Sequence, residues 1–433
     1  MDTQDIVVIG GGAGGLVVAS GAAQLGLRVT LVEKAPSLGG DCLHHGCVPS
    51  KALIRSAKVA RLMRRADEFG LSAAAPAVDL GRVMDRVRQV RETIQVHDDP
   101  ERFRGLGVDV VFGPARFISP HEIDVEGRRI RGRRFVIATG STAAVPAIPG
   151  LEETGYVTNV EVFDLRRLPP RLLVLGDGPV GIELAQAFAR LGSEVTVAGR
   201  SPGILKREDP EVAAALQGRL EAEGLRFCLL PEPRRCYRDG GTKVVEGRGA
   251  NGETVTLRSD EILVATGRRP VVEGLGLEAA GVAYDALRGI PVDRRQRTSA
   301  RHIYACGDVC GPFPFTHMAE YQASVVISNA VFRFPKRTDY RVVPWVTYSD
   351  PELARVGLTE AQARAAGKVP QVLRFDFGDL DRAVTEGETD GFVKLVSHRG
   401  RILGVSILGP QAGEMLPEFV LAMNKGGRLG DIS

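Results

Sequence analysis

The amino-acid sequence predicts an α/β protein with parallel sheets, in which one strand–turn–helix–strand module occurs twice and an α+β domain follows. The glycine pattern G-x-G-x-x-G begins at Gly10 and returns at Gly176. A short phrase follows each copy later in the chain, "FVIATG" at 135–140 and "ILVATG" at 262–267. After Val343 the sequence changes to alternating strand and helix patterns. Self-similarity of this kind indicates a repeated structural unit.

The first module has every part of a dinucleotide-binding turn. Ile6–Ile9 is a short apolar run typical of a buried parallel strand, and Val29–Glu33 is the next predicted strand. Between them Gly10, Gly12 and Gly15 open a helix, where glycines let the backbone approach a pyrophosphate. An acid at the end of the second strand, here Glu33, accepts hydrogen bonds from a ribose. The alternative is a glycine-rich turn with no ligand.

The second module repeats this order after a connecting region. Helical patterns near 51–71 and 80–96 and strands within 108–126 come first. Gly176, Gly178 and Gly181 then open the second helix, with Pro179 near its start, where proline is tolerated. Two dinucleotide modules imply two bound nucleotides, and hydride transfer between them is the natural use.

Two cysteines and a lysine follow the first module in "GGDCLHHGCVPSK". In a regular helix, the step of five positions from Cys42 to Cys47 would span roughly 7.5 Å along the axis and about 140° around it. A disulfide needs Cα atoms closer than about 7 Å, so the pair can bond only where the backbone is distorted. The glycines around the pair supply that freedom. A helix N-terminus and the nearby Lys51 favour the thiolate form, which suits a redox pair.

Other interpretations of this segment remain open. The two thiols could be inert and buried, or His44 and His45 between them could complete a metal site. Four ligands within six residues do not match the spacing of structural zinc sites. We therefore expect no metal site, and we expect the histidines to line the mouth of the disulfide site.

Composition and charge restrict the class of protein. The chain has 433 residues, enough for two or three domains, and its net charge is only +3. A net charge this small gives no indication of the strongly basic surface that binds nucleic acid or membranes. The apolar stretch Ile6–Leu27 is about long enough to span a bilayer, but its glycine spacing favours a nucleotide turn. Without the basic start of a signal peptide, we expect a cytoplasmic protein with reduced cysteines.

The sequence resembles the flavin-dependent pyridine nucleotide–disulfide oxidoreductases, which include lipoamide dehydrogenase, glutathione reductase and mercuric reductase. The resemblance covers essentially the whole chain, and its motifs occur in the family's order. They are Gly10–Gly15, Cys42–Lys51, Ala138–Gly140, Gly176–Glu183, Ala265–Pro270, Ala305–Asp308 and the C-terminal domain.

The resemblance implies a domain plan and a role for each motif. An FAD-binding domain is expected at 1–147 and 273–342, an NAD(P)-binding domain at 148–272, and a dimerisation domain of a homodimer at 343–433. Cys42 would be the exposed thiol that attacks substrate, and Cys47 the charge-transfer thiol beside the flavin. Lys51 would lie near flavin N5 and pair with Glu183. The remaining cofactor-binding residues implied are Gly10, Gly12, Gly15, Glu33, Thr139, Gly140 and Asp308 for FAD, and Gly176, Gly178, Gly181 and Gly267 in the nucleotide motifs of the second module.

The nicotinamide cofactor is predicted from the second module. Glu33 lies twenty-three residues after Gly10, and the same step from Gly176 reaches Gly199. The acid that favours an unphosphorylated ribose is therefore missing there. Arg200 and Lys206 follow, and cations suit a 2′-phosphate. We expect NADP, with NAD as the alternative, and "VTVAGRSPGILKREDPE" is similar to mercuric reductase in particular. The charges could instead be solvated loop residues.

The C-terminal end departs from the family pattern. Members usually end in a His–Glu pair that serves the partner's disulfide site, and mercuric reductases also carry a C-terminal cysteine pair. This chain ends at "GGRLGDIS", about where that segment should begin. We therefore expect either a truncated domain or a member that works without these groups.

The expected activity is electron transfer from NAD(P)H through FAD to the cysteine pair and on to a small-molecule acceptor, in the service of cell redox homeostasis. The acceptor would be a mercuric ion, a small disulfide, or lipoamide in the oxidative direction. The alternatives are a quinone or oxygen reductase that uses the flavin alone, and a flavin-binding dimer that does not turn over.

Overall fold

The computed structural model describes residues 3–332 and 334–432, so the outermost positions of the first and last predicted domains lie outside the described residues. Two compact units can be distinguished by their internal contacts. Unit 1 comprises Met1–Pro49, Asp85–Ala144 and Arg268–Asp339. Unit 2 comprises Ser50–Met84, Val145–Gly267 and Tyr340–Ser433.

Helices and strands occur along the whole described length. The helices are α1 (Ala13–Gln24), α2 (Gly40–His44), α3 (Cys47–Arg64), α4 (Leu80–Gln95), α5 (Pro100–Gly105), α6 (Leu151–Thr154), α7 (Pro179–Leu191), α8 (Pro210–Ala222), α9 (Thr316–Ala330), α10 (Glu360–Ala365), α11 (Asp381–Glu386) and α12 (Ala412–Asn424). The strands are β1 (Ile6–Ile9), β2 (Val29–Glu33), β3 (Val108–Phe112), β4 (Ala115–Ser119), β5 (Glu122–Val125), β6 (Arg128–Arg131), β7 (Phe135–Ile137), β8 (Ser141–Ala143), β9 (Arg171–Leu175), β10 (Glu194–Gly199), β11 (Arg226–Leu229), β12 (Glu232–Asp239), β13 (Thr242–Arg248), β14 (Thr254–Ser259), β15 (Glu261–Val264), β16 (Arg268–Pro270), β17 (Ile303–Ala305), β18 (Pro344–Thr347), β19 (Glu352–Gly357), β20 (Gln371–Asp376), β21 (Phe392–His398) and β22 (Arg401–Gly409).

Unit 1 is built on a parallel five-stranded sheet in the order β17-β7-β1-β2-β3. Every residue of β1 is buried, because its alternating side chains enter separate apolar clusters. Helix α1 packs close to α9 through small residues. A Cβ added to Gly21 would lie only 2.8 Å from Ile327 Cδ1. The antiparallel sheets β4-β5-β6 and β8-β16 complete this unit.

Unit 2 contains a second parallel sheet in the order β11-β10-β9-β15, with α7 following β9. Strands β12-β13-β14 form an antiparallel sheet. The C-terminal part is a five-stranded antiparallel sheet, β18-β19-β22-β21-β20. Its apolar residues form one cluster with Ala412 and Leu416 of α12.

The predicted α/β architecture is confirmed: each module has its own parallel sheet, and an α+β region follows. The expected helical patterns correspond to α3 and α4, and the expected strands after them to β3, β4 and β5. Among the described residues, no helix combines the length and the apolar character needed to cross a bilayer.

Candidate active site

The two cysteines lie on different helices. Cys42 belongs to α2 and Cys47 is the first residue of α3, so the helical conformation is interrupted at His45 and Gly46 between them. The backbone between the two cysteines therefore departs from a regular helix, as a bond between them requires. Gly39 and Gly40 enter this segment with φ of 112° and 61°, a left-handed backbone that favours glycine.

The cysteine segment rests directly on the first glycine turn. The Gly39 N–H donates to the Gly11 carbonyl at 2.8 Å. A Cβ on Gly40 would lie 2.6 Å from the Gly12 Cα, so only glycine permits this approach. The sequence alone places these segments one after the other, and the fold brings them into contact.

The two thiols are hydrogen-bonded to each other and lie beside the same hydroxyl group. All six cysteines are thiols rather than disulfides in the part of the chain that the structure describes. The hydrogen bond to Cys47 is the main cause that raises the pKa of Cys42 above its ordinary value, and burial adds to it. The hydrogen bond with Thr316 acts in the opposite direction. Thr316 Oγ1 also lies 3.4 Å from the Cys47 sulfur.

The expectation that Cys42 is the more exposed thiol is wrong for this structure. Cys47 is exposed and Cys42 is half-buried. Cys42 lies within α2, whereas Cys47 is the first residue of α3.

An ion network lies next to Cys42 in unit 1. Asp41, the preceding residue, pairs with the Arg268 guanidinium at 3.0 Å. Arg268 also donates to the Ser141 hydroxyl at 2.7 Å and to the Ser141 carbonyl at 2.9 Å. The Ser141 hydroxyl donates to Asp308 at 2.5 Å. Burial raises the pKa of Asp308, while the Ser141 hydroxyl and the Arg268 charge oppose that shift.

Sequence reasoning singled out Asp308 but missed Ser141, Arg268 and Asp41. A signal existed for the first two. Ser141 directly follows the "ATG" phrase of the first module, and Arg268 directly follows that of the second. Thr139 and Gly140 shape the same turn: the Thr139 hydroxyl donates to the Val271 carbonyl at 2.7 Å, and Gly140 has a φ of 68°.

The first glycine turn fits a dinucleotide. A Cβ on Gly10 would lie 2.3 Å from the Ala138 carbonyl oxygen, and one on Gly15 would lie 1.9 Å from the Gly10 carbonyl oxygen. The Glu33 carboxylate accepts from the backbone N–H groups of Gly11 at 2.5 Å and Ala35 at 2.8 Å. The bare backbone and the acid at the strand end are the parts that hold a pyrophosphate and a ribose.

The second glycine turn has the same close contacts. A Cβ on Gly176 would lie 2.3 Å from the Ala265 carbonyl oxygen, and one on Gly181 would lie 2.2 Å from the Gly176 carbonyl oxygen. Gly178, by contrast, has open space where its Cβ would be. Gly267 has a φ of 130°, also with open space beside it.

The end of β10 differs from the end of β2. Gly199 is its last residue, and exposed Arg200 and Lys206 follow. A Cβ on Gly199 would lie 2.3 Å from Asp177 Oδ2. Asp177 was not among the predicted site residues.

Lys51 and Glu183 meet within unit 2. Lys51 Nζ donates to Glu183 Oε2 at 2.9 Å and lies 4.3 Å from the centre of the Tyr348 ring. The other Glu183 oxygen accepts from the Tyr348 N–H at 2.9 Å. The Glu183 side chain is only 7% exposed, whereas the Lys51 side chain is 36% exposed, so the carboxylate end of the pair is shielded from water. Along α3, Lys51 follows Cys47 by four residues, about one helical turn.

The histidines between the cysteines are partly engaged elsewhere. His44 Nε2 lies 2.8 Å from the Leu38 carbonyl oxygen and 3.2 Å from Ser37 Oγ. The rings of His44 and His45 are 6.0 Å apart. Among the described residues, no group of three or more His, Cys, Asp or Glu side chains is arranged to hold a metal ion.

Comparison with known proteins gives consistent matches along the chain. Residues 4–323 match the family model described as pyridine nucleotide-disulphide oxidoreductase, and residues 343–433 match its dimerisation domain. A mercuric reductase of Bacillus cereus is 33% identical over 436 residues, covering 99% of this chain and 68% of that protein. A dihydrolipoyl dehydrogenase of Thermus scotoductus is 39% identical over 444 residues, covering 100% of this chain and 93% of that protein.

A solved structure agrees as well. The Cu(II) complex of the HOCl-induced flavoprotein disulfide reductase RclA from Escherichia coli superimposes with a TM-score of 0.88. Its sequence is 30% identical, and the match covers 99% of this chain and 94% of that one.

Proposed function

The chain belongs to the pyridine nucleotide–disulphide oxidoreductase family, and on that premise we propose that Cys42 and Cys47 are its redox pair. The observation that carries the proposal is the pair itself. Its thiols are hydrogen-bonded to each other, and their segment is hydrogen-bonded to the first glycine turn. Inert structural cysteines would need neither arrangement.

We assign two nucleotides to the two glycine turns. FAD would be held by the turn at Gly10, Gly12 and Gly15, by Glu33 and by the segment that contains Thr139, Gly140 and Asp308. When bound, it supplies a two-electron carrier between the nicotinamide and the cysteine pair. The turn at Gly176, Gly178 and Gly181, together with Gly267, would hold the nicotinamide nucleotide.

We propose NADPH as the preferred donor, with NADH as the alternative. The support is the missing acid at Gly199 and the exposed cations Arg200 and Lys206 that follow it. A guanidinium can form two hydrogen bonds to a phosphate, which gives it a geometric preference for the phosphorylated ribose.

The thiols perform the exchange with a disulfide acceptor. The Cys42 sulfur attacks one acceptor sulfur, the acceptor's S–S bond breaks, and the first thiol leaves. The Cys47 sulfur then attacks Cys42, the mixed disulfide breaks, and the second thiol leaves. The acceptor gains two electrons and two protons, and Cys42–Cys47 becomes a disulfide. The hydrogen bond between the two sulfurs allows one of them to be a thiolate while the other remains protonated.

Lys51 and Glu183 are assigned as the ion pair that serves the flavin. The carboxylate holds the Lys51 ammonium, and the Tyr348 N–H holds the carboxylate. A fixed positive charge one helical turn from Cys47 also favours a thiolate there.

For the acceptor we propose a mercuric ion or a small disulfide, since soft thiolates suit both. Mercuric reductases and dihydrolipoyl dehydrogenases are both among the relatives, so lipoamide chemistry in the oxidative direction is the alternative. We propose a homodimer formed through 343–433, working in the cytoplasm, where thiols are kept reduced.

The test is an absorption titration of the FAD-loaded protein with NADPH. One equivalent should give a long-wavelength thiolate–flavin band. Cys47→Ser should lose this band, and Cys228→Ser, a half-buried cysteine outside the pair, should keep it. Bleaching without the band would favour flavin-only chemistry. If the protein binds no FAD, the proposal is wrong, and so is the flavin-only alternative. FAD binding with no response to either nicotinamide nucleotide would favour the dimer that does not turn over.

A further inference from the structure

The two glycine turns distribute their acids differently. In the first module, position 11 is glycine and the acid stands at the end of β2, where Glu33 accepts from the Gly11 N–H at 2.5 Å. A Cβ added at Gly11 would lie 3.1 Å from the Glu33 carboxylate. A side chain at this loop position therefore points at the place where the strand-end acid keeps its carboxylate.

In the second module the residue types are exchanged. The equivalent loop position holds Asp177, and the strand-end position holds Gly199. A Cβ on Gly199 would lie 2.3 Å from Asp177 Oδ2 and 3.1 Å from its Cγ. The Asp177 carboxylate thus fills the space in which a strand-end acid would begin. The second module therefore carries its acid in the loop, whereas the first module carries its acid at the end of the strand.

The Asp177 carboxylate is not fully satisfied by hydrogen bonds. Its Oδ2 is buried and has no hydrogen-bond donor among the residues that the structure describes. Burial raises the pKa of Asp177, and the charge of Lys206 opposes that shift. The Asp177 carbonyl accepts from the Leu205 N–H at 3.0 Å. This bond connects the glycine turn to the loop after β10, which carries Arg200 and Lys206. The residue as a whole is only half-buried, so its carboxylate is not sealed off from a hydroxyl donor and has acceptor capacity to offer.

We propose that Asp177 is the specificity-determining acid of the second nucleotide site and accepts a hydrogen bond from the 2′-hydroxyl of the adenosine ribose. The inference rests on the proposed nicotinamide site. It gives NADH a positive contact, and its negative charge opposes the 2′-phosphate that Arg200 and Lys206 attract. The site therefore accepts both nicotinamide nucleotides, and Asp177 limits the preference for NADPH.

The test is calorimetric binding of two fragments, ADP-ribose and 2′-phospho-ADP-ribose, to the FAD-loaded full chain. Asp177→Ala should weaken ADP-ribose binding roughly tenfold and strengthen binding of the phosphorylated fragment severalfold, because a charged hydrogen bond is lost and a repulsion is removed. Asp177→Asn keeps the shape and removes the charge, so it should strengthen the phosphorylated fragment as well. Asp239→Ala, at an exposed hairpin of the same unit, should change neither.

The sharpest variant restores the arrangement of the first module. Gly199→Glu alone should impair both fragments, because its Cβ meets Asp177. Asp177→Gly combined with Gly199→Glu should recover ADP-ribose binding. If both fragments bind the wild type and neither Asp177 variant changes their ratio, the inference is wrong while the nucleotide site stands. If neither fragment binds the wild type, the nicotinamide site itself is wrong, and the inference falls with it.

Discussion

The guanidinium of Arg268 lies 3.0 Å from the carboxylate of Asp41, the residue that precedes Cys42. Arg268 reaches Asp41 from the "ATG" phrase of the second module, and it also contacts the segment that follows the corresponding phrase of the first. One cation thereby links the cysteine segment to Ser141 and Asp308. Its guanidinium also lies 3.7 Å from the carboxylate of Asp308.

The first prediction concerns this cation. Arg268→Ala should reduce stability by about 1 kcal/mol, at the low end for a hydrogen-bonded charge because Asp41 is partly exposed. It should also raise the pKa of Asp308 further, since the opposing charge is gone. Arg268→Lys should recover part of the loss, because an ammonium can pair with Asp41 but lacks the planar donors for Ser141. Urea unfolding measures both variants, and unchanged midpoints would show that the network contributes nothing.

The second prediction concerns the shared thiol proton. Cys47→Ala should lower the pKa of Cys42, because the hydrogen bond to Cys47 is the main cause that raises it. Burial remains, so the value should stay above that of an unburied thiol. Thr316→Val should act in the opposite direction, since the Thr316 hydrogen bond lowers the pKa. The pH dependence of Cys42 alkylation, followed by mass spectrometry, gives both signs. Equal profiles for the two variants would contradict the hydrogen bond between the two thiols as the cause.

The strand–glycine–helix modules were predictable because local rules decide them. Apolar runs such as Ile6–Ile9 suit only a buried strand, and the contacts of Gly10 and Gly15 leave no room for a side chain. The family, which the comparisons confirm, was predictable for the same reason, since its motifs are short and local. The break between Cys42 and Cys47 followed from the geometry that a disulfide requires.

Contacts between distant segments could not be predicted in this way. Arg268 and Asp41 are far apart in the sequence and meet only in the folded unit 1. The pairing of β16 with β8 likewise places Arg268 beside Ser141, which no local pattern indicates. The exposure of the two thiols depends on side-chain direction at a helix break, which spacing does not determine. Counting from Gly176 showed that position 199 carries no acid. It could not show that the Asp177 carboxylate occupies the space beside Gly199.

The third prediction concerns Glu183. Glu183→Gln should fold, since an amide oxygen can still accept from the Tyr348 N–H. It should slow flavin reduction by NADPH by one to two decades, because Lys51 loses the carboxylate that fixes it. Glu183→Ala should also cost roughly 2 kcal/mol of stability, since this carboxylate is almost fully buried. Stopped-flow absorbance and urea unfolding separate the effects. If the flavin of Glu183→Gln is reduced by NADPH at the wild-type rate, the ion pair has no role in that step.

The fourth prediction concerns the 2′-phosphate. Arg200→Ala should lower kcat/KM for NADPH by one to two decades and leave NADH nearly unchanged, because one charged hydrogen bond is worth roughly 1.5–3 kcal/mol. Arg226→Ala is a suitable control, since Arg226 is an exposed arginine at the start of β11. An equal loss with both cofactors would show that Arg200 does not read the phosphate.

The last prediction concerns acid stability and the Asp350 carboxylate in unit 2. One of its oxygens lies 2.6 Å from Arg190, and the other lies 3.3 Å from Lys58. Arg190 also pairs with Glu223 at 2.7 Å, and both of those side chains are almost fully buried. Burial disfavours the Asp350 charge, but the neighbouring cations outweigh it and hold its pKa below the ordinary value. The folded protein therefore binds the Asp350 proton less readily than the unfolded chain does.

The sign of the pH effect follows from this difference. Stability from Asp350 is present above the unfolded pKa, about 3.9, and is lost as the pH falls through the lower folded value. Asp350→Asn should cost roughly 2–3 kcal/mol at pH 7, below the full penalty for breaking a buried pair because Asp350 is 17% exposed. Its deficit against the wild type should shrink below about pH 4, as the wild-type carboxyl is protonated. Urea midpoints across the acid range measure the deficit, with Asp239→Asn on the exposed hairpin as the control. A deficit that stays constant down to the lowest pH would show that shape, and not charge, makes Asp350 stabilising.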